Sequence, residues 1–189
     1  KSNKKRLNII ISKSGNTLET LSNLNLILSK QKRNKNLIIT EKKNNILRAM
    51  ANKLRSDVID HKNYNDREEY DGLINSYLEN LNPDLIVLAG YMRIMSKSLV
   101  DNWEGQIVNI HPSLLPKYPG LNTHKRALEA KDKTHGSTIH FVTSELDSGP
   151  IIRQESFEIE PSDTEESLIN KVKDLEHKIY PETISLLIK

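Results

Sequence analysis

The 189-residue sequence predicts an α/β protein built on an open, mostly parallel, twisted sheet with helices on both faces. Three observations carry that prediction. Short apolar runs rich in β-branched residues recur at 7–12, 37–40, 85–89 and 107–110, the pattern of strands buried on both faces. Segments with helical apolar spacing lie between them, so successive strands are joined by crossovers and run parallel. Beyond residue 136 the pattern changes. The segment 137–142 (STIHFV) alternates, which predicts antiparallel additions near the sheet edge in the C-terminal part.

Each element follows in order. The first strand, 7–12 (LNIIIS), opens into a turn at Gly15 and a helix over 18–28, with Leu18, Leu21, Leu24 and Leu28 on one face. Residues 37–40 form a second strand, 46–54 a helix and 57–59 a brief strand. The clearest helix is 66–81. Asp66 is its N-cap, Glu69 closes a capping box, and Tyr70, Leu73, Ile74, Tyr77, Leu78 and Leu81 repeat at helical period. Pro83 stops it before the buried strand 85–89. A helical turn near 98–103 precedes the strand 107–110. The segments 137–142 and 151–159 pair across the turn 147–150. A last helix opens at Thr164 with Leu168, Val172, Leu175 and Ile179 on one face, and Pro181 is expected to end or kink it. With no repeat and no low-complexity linker, residues 1–189 read as one domain, 1–6 being a disordered basic tail.

Composition excludes several functions. Hydrophobic content of 36% and charged content of 28% fit a soluble globular chain, and the formal charge of +3 is mild. Lysine and arginine cluster at 1–6 and 30–35 without interleaved aromatics, so they read as a tail and a loop rather than a nucleic-acid patch. The absence of cysteine removes thiol nucleophiles, disulfides and iron–sulfur sites, and suits a reducing, cytoplasmic compartment. No apolar run approaches the roughly 20 residues needed to cross a bilayer. The first residue is Lys1, which leaves open a removed organellar targeting segment. None of the six histidines has metalloprotease spacing, and neither a P-loop nor a nucleophile elbow is present.

Chemistry concentrates in the run 106–121 (QIVNIHPSLLPKYPGL). Asn109 and His111 stand two apart at a strand exit, so their side chains share a direction. Pro112 keeps His111 extended. An amide donor and a titratable base therefore meet where open α/β sheets place ligands. Asp147, in the turn LDSGP, is either a turn aspartate bonded to its own backbone or a carboxylate facing His111. His140, between Ile139 and Phe141, reads as a packed histidine. The turn 12–17 (SKSGNT) before a helix is either an anion site or an ordinary βα turn capped by Asn16 or Thr17.

The run 106–121 resembles the folate-dependent formyltransferases. So do 83–95 (PDLIVLAGYMRIM), 123–129 (THKRALE), 135–142 (HGSTIHFV), 145–152 (ELDSGPII) and 176–181 (EHKIYP), in the family's order over nearly the whole chain. The likeness is nearest to members that formylate glycinamide ribonucleotide. It implies a Rossmann-like formyltransferase fold and transfer of a formyl group from formyl-tetrahydrofolate, a co-substrate, to the ribonucleotide amine in purine synthesis. It implies no metal and no covalent enzyme intermediate. Asn109 and His111 would stabilise the oxyanion, with His111 and Asp147 moving the proton. Gly15, Asn16 and Thr17 would hold the phosphate with Lys173, and Glu176 would meet the ribose. Without the resemblance Glu176 reads as part of a solvated helix face. Arg67, Met92, Arg93, Ile94 and Met95 would line the folate pocket, with Thr143, Ser144, Glu145, Leu146 and Asp147 on its other side and Asn109 at its end. The expected partners are these small molecules alone, with no nucleic acid and no membrane, and the chain is expected to be a monomer or weak homodimer.

Departures from the family pattern are few. Lys13 replaces a glycine of the first loop, Asn16-Thr17 replace Ser-Asn, and Asn122 stands where a histidine is common. Three other readings share part of the pattern. Formyl-tetrahydrofolate hydrolase usually has an added N-terminal domain, and methionyl-tRNA formyltransferase needs a C-terminal RNA-binding domain; this length accommodates neither. The third is a folate-binding regulator without turnover.

Overall fold

The computed structural model describes residues 7–12, 35–40, 55–88, 90–91 and 93–188. The helices expected at 18–28 and 46–54, the phosphate-loop residues Gly15, Asn16 and Thr17, and Met92 lie outside the described residues. Five parallel strands form most of the sheet: β1 (Leu7–Ser12), β2 (Lys35–Thr40), β3 (Arg55–Val58), β4 (Leu85–Leu88) and β5 (Ile107–His111). Then β6 (Thr134–Phe141) and β7 (Ile151–Glu158) add antiparallel at one edge, giving the order β3-β2-β1-β4-β5-β6-β7. This is the open, mostly parallel sheet the apolar runs predict, with both antiparallel additions in place. The brief strand expected at 57–59 lies two residues earlier, because its register follows pairing with β2 and not its own composition.

Helices cover both faces. On one, α1 (Arg67–Leu81) and α2 (Lys97–Asn102) enclose Tyr70, Ile74, Leu78 and Leu99 against Ile86, Leu88 and Ile107. On the other, α4 (Glu165–Leu187) lays Ile179, Tyr180 and Ile184 over Val87, Val108 and Ile139. A short α3 (Thr123–Glu129) sits between β5 and β6. Among the described residues, no helix is long and apolar enough to cross a membrane.

The caps agree with the sequence in detail. Asp66 accepts the Glu69 N–H at 2.8 Å, while the Glu69 carboxylate reaches one residue further back than expected, to the Asn65 N–H. Asn82 ends α1 in the left-handed region, with φ 46°, immediately before Pro83.

Of the two outcomes expected at Pro181, an end is overturned: α4 continues through it to Leu187. Proline inside a helix costs about 3 kcal/mol through a lost hydrogen bond and a clash one turn back. Tertiary burial outweighs that here. Ile184 and Ile188, beyond the proline, lie in the core, and the Tyr180 hydroxyl sits 2.7 Å from the Leu88 carbonyl and 3.1 Å from that of Val108. Leaving such buried carbonyls without a donor costs about 1–3 kcal/mol each. Burial in this dry setting pushes the Tyr180 phenol pKa up.

Candidate active site

Asn109 and His111 leave β5 on the face covered by α1 and α2, as their spacing demands. His140 is the direct cross-strand partner of Asn109 in β6 and so shares that face. Asp147 arrives from the β6–β7 loop. The backbone of that loop turns back at Asp147 itself, with φ 49°, and at Gly149, where any Cβ would overlap the Phe141 carbonyl oxygen. Asp147 thus sits in the turn, while its carboxylate is carried over the sheet to Gly120 and His111.

Four side chains converge. The Asp147 Oδ2 lies 3.4 Å from His111 Nδ1, and both side chains are more than nine-tenths buried. The same oxygen accepts the Gly120 N–H at 2.8 Å. His111 Nε2 is 2.9 Å from the Tyr118 carbonyl. A carbonyl only accepts, so Nε2 carries the proton and Nδ1 is the nitrogen presented to Asp147. His140 Nε2 is 3.4 Å from Asn109 Nδ2 and 3.8 Å from Asp147 Oδ1. The loop 112–122 thus supplies a main-chain acceptor to the histidine and a main-chain donor to the aspartate. It reaches both by bending through positive φ at Tyr118 (55°) and Gly120 (77°).

The remaining expected residues fall into distinct places. Ile94 and Leu146 expose apolar surface, at 57% and 53%, as does Leu121. Arg93 stacks over the Tyr70 ring, 5.3 Å from its centroid, and so is tied to α1. Met95 is buried in the core beside α1 and α2. Its segment is pinned by Asp71, whose buried carboxylate accepts the Ser96 N–H at 2.5 Å; burial pushes that carboxyl pKa up. Arg67 is exposed, with its guanidinium on its neighbour Glu68, and is not drawn toward His111. Thr143 and Ser148 tie the loop to the Glu145 carbonyl at 3.3 and 3.1 Å, and Ser144 and Glu145 are exposed. Lys173 and Glu176 lie on α4, on the other side of the sheet. Glu176 still comes close to the site's frame, because Ser137 Oγ lies 2.8 Å from both its Oε1 and the His111 carbonyl.

Sequence reasoning missed the part played by His140 and by the main chain of Tyr118 and Gly120. The alternation of 137–142 marks which face His140 takes, but strand register alone places it opposite Asn109.

A second histidine pair lies nearby. His124 Nδ1 and His135 Nε2 are 3.0 Å apart, edge to face. One ring must accept, so both cannot be protonated. Burial, then His124, push the His135 pKa down to about 4, and burial likewise lowers that of His124. The unfolded chain therefore takes up the His135 proton first as pH falls. Stability from this group is present above its ordinary value of 6.5 and is lost as pH falls from there toward about 4. Urea unfolding at about pH 7 and about pH 5 is expected to differ by about 2 kcal/mol on this account, and His135→Gln is expected to shrink that difference. An unchanged pH dependence in the variant would remove His135 from the effect. Among the described residues, no cluster of histidine and acidic side chains fits a metal ion.

The profile of the formyl transferase family matches residues 5–184. Phosphoribosylglycinamide formyltransferase of Escherichia coli is 48% identical over 122 residues, which is 65% of this chain and 58% of that protein. The trifunctional purine biosynthetic protein adenosine-3 of Drosophila melanogaster is 39% identical over 188 residues, 98% of this chain. The chain spans only 14% of that relative's length and 13% of its Gallus gallus counterpart. Among solved structures, a phosphoribosylglycinamide formyltransferase from Bacillus halodurans superposes with a TM-score of 0.83 at 38% identity, covering 98% of this chain and 96% of that one.

Proposed function

The chain belongs to the formyl transferase family, and from that premise we propose that it transfers a formyl group from formyl-tetrahydrofolate to the amine of glycinamide ribonucleotide in purine biosynthesis. The observation that carries this reading is the approach of Asn109, His111 and Asp147 to one point on the sheet face. The apolar surface of Ile94 and Leu146 suits a flat folate ring.

The amine nitrogen attacks the formyl carbon, the C=O pair moves onto oxygen, and a tetrahedral intermediate forms. An N–H of Asn109 and the protonated His111 ring face that oxygen; one well-placed donor of this kind is worth about 3–4 kcal/mol. Collapse restores the carbonyl and breaks the bond to the folate nitrogen, which takes up a proton as the amine gives one up. With Nε2 held by the Tyr118 carbonyl, His111 works through Nδ1, beside Asp147. No bond to the enzyme forms, and no metal takes part.

Arg67, Met92, Arg93, Ile94 and Met95 are assigned to the folate pocket, together with Asn109 and residues 143–147. Gly15, Asn16, Thr17, Lys173 and Glu176 are assigned to the ribonucleotide. The reading extends to one formyltransferase domain over 1–189, acting in the cytoplasm on small molecules as a monomer or weak homodimer.

The test is absorbance of the deformylated folate product with and without glycinamide ribonucleotide. Product only with the ribonucleotide is expected. Equal product without it would shift the reading to a hydrolase, and folate binding without turnover to a binding protein.

A further inference from the structure

We infer that His140 is a positioning residue for Asn109: its Nε2 accepts one N–H of the carboxamide, so that the other N–H of the same nitrogen is aimed at the reacting carbonyl oxygen. This rests on the function proposed above. A carboxamide is nearly symmetric in shape, and nothing in its own rotamer decides whether nitrogen or oxygen faces the reaction. Here its neighbour decides. His140 Nδ1 lies 2.9 Å from the Phe141 carbonyl, which only accepts, so Nδ1 carries the ring proton. In the neutral ring Nε2 then offers a lone pair, and Asn109 Nδ2 is 3.4 Å away. An acceptor at that position can be answered only by the amide nitrogen, not its oxygen.

The neutral ring is enforced by position. His140 is 2% exposed near the end of β6, and burial disfavours its charged form. The charged and titratable groups facing it are Asp147, with Oδ1 3.8 Å from Nε2, and His111. Asp147 is too far to bond, so it does not compete for the lone pair. The Phe141 carbonyl also belongs to the backbone from which the Asp147 loop departs. One imidazole thereby links the strand carrying the oxyanion donor to the base of the loop carrying the carboxylate.

Three substitutions at His140, one of them repeated in an Asn109→Ala background, and one spectrum test this. His140→Leu removes the acceptor and is expected to lower kcat by about 10²-fold, with both KM values held within about twofold. His140→Gln places an amide oxygen near the position of Nε2 and is expected to recover most of that loss; His140→Asn, whose oxygen stops short at the position of Nδ1, is not. In an Asn109→Ala background His140→Leu is expected to have no further effect, because the group it orients is gone. The inference is overturned if His140→Leu keeps wild-type kcat, if Gln restores no more than Asn, or if the loss is undiminished without Asn109. Nitrogen-15 spectra of the wild-type protein near neutral pH are expected to show His140 as the Nδ1–H tautomer. An Nε2–H tautomer would overturn the inference whatever the activity assays give. A wild-type protein with the Nδ1–H tautomer but no ribonucleotide-dependent turnover would instead count against the proposed function alone.

Discussion

His111→Ala is expected to lower kcat by about 10³-fold while folate affinity stays within about threefold of wild type. The magnitude follows from what the ring does. In the proposed mechanism it would supply one donor toward the developing oxyanion and one proton route to the leaving nitrogen, each worth about 10²-fold or more by itself, and effects at one centre do not add in full. The prediction separates chemistry from binding because the ring is buried and tethered, with its Nε2 on the Tyr118 carbonyl and its Nδ1 toward Asp147. The apolar surfaces assigned to folate belong to Ile94 and Leu146, not to the imidazole. Steady-state kinetics alongside a folate-binding titration check both halves. Wild-type turnover in the variant would take His111 out of the mechanism, and a collapse of folate affinity would recast it as a binding group.

Gly136→Ala is expected to destabilise the fold by about 3 kcal/mol or more, a drop of about 10 °C in Tm for a chain of this length. Gly136 faces Ser156 in the β6–β7 ladder. A methyl group there would overlap the Glu155 carbonyl oxygen, lie 2.8 Å from the Ser156 Cα and press on Leu114 at 2.9 Å. Two of those three atoms are backbone, so relief requires the strands to part. Gly72→Ala is the matched control. It lies exposed on α1 with nothing near a new Cβ, and is expected to stabilise by about 0.5–1 kcal/mol through helix propensity and a less disordered unfolded chain. Urea unfolding of both variants reads the contrast. Equal stabilities would mean that the β6–β7 pair tolerates separation and that the close approach has no energetic weight.

The same pair of strands shows where legibility in the sequence ends. Alternation in 137–142, with the turn 147–150 before 151–159, predicts two antiparallel strands, and both form. It also predicts which residues share a face, because side-chain direction repeats every second residue. It does not predict that Asn109 stands opposite His140, since register is settled by which strands pair and how the intervening loops close. His140 alone therefore reads as a packed histidine, and only pairing turns it toward the amide.

Pro181 makes a similar point from the helix. Its local chemistry argues for a break, and the two core residues beyond it, Ile184 and Ile188, argue for continuation. Local preference is a term of a few kcal/mol, which burial of a helix face against a sheet exceeds.

The sequence by itself determined the sheet class, the caps of the 66–81 helix, the shared direction of Asn109 and His111, and family membership. Each of these depends on periodicity or on residue types within a few positions of one another. The tertiary structure decided that Asp147 swings over the sheet to His111, that main-chain groups of Tyr118 and Gly120 occupy the outer sides of that pair, and that His140 closes the set. Those contacts join residues 7 to 36 positions apart, and such distances are closed by the pairing of β5 with β6 and the tight return at Gly149, features that no single stretch of chain contains.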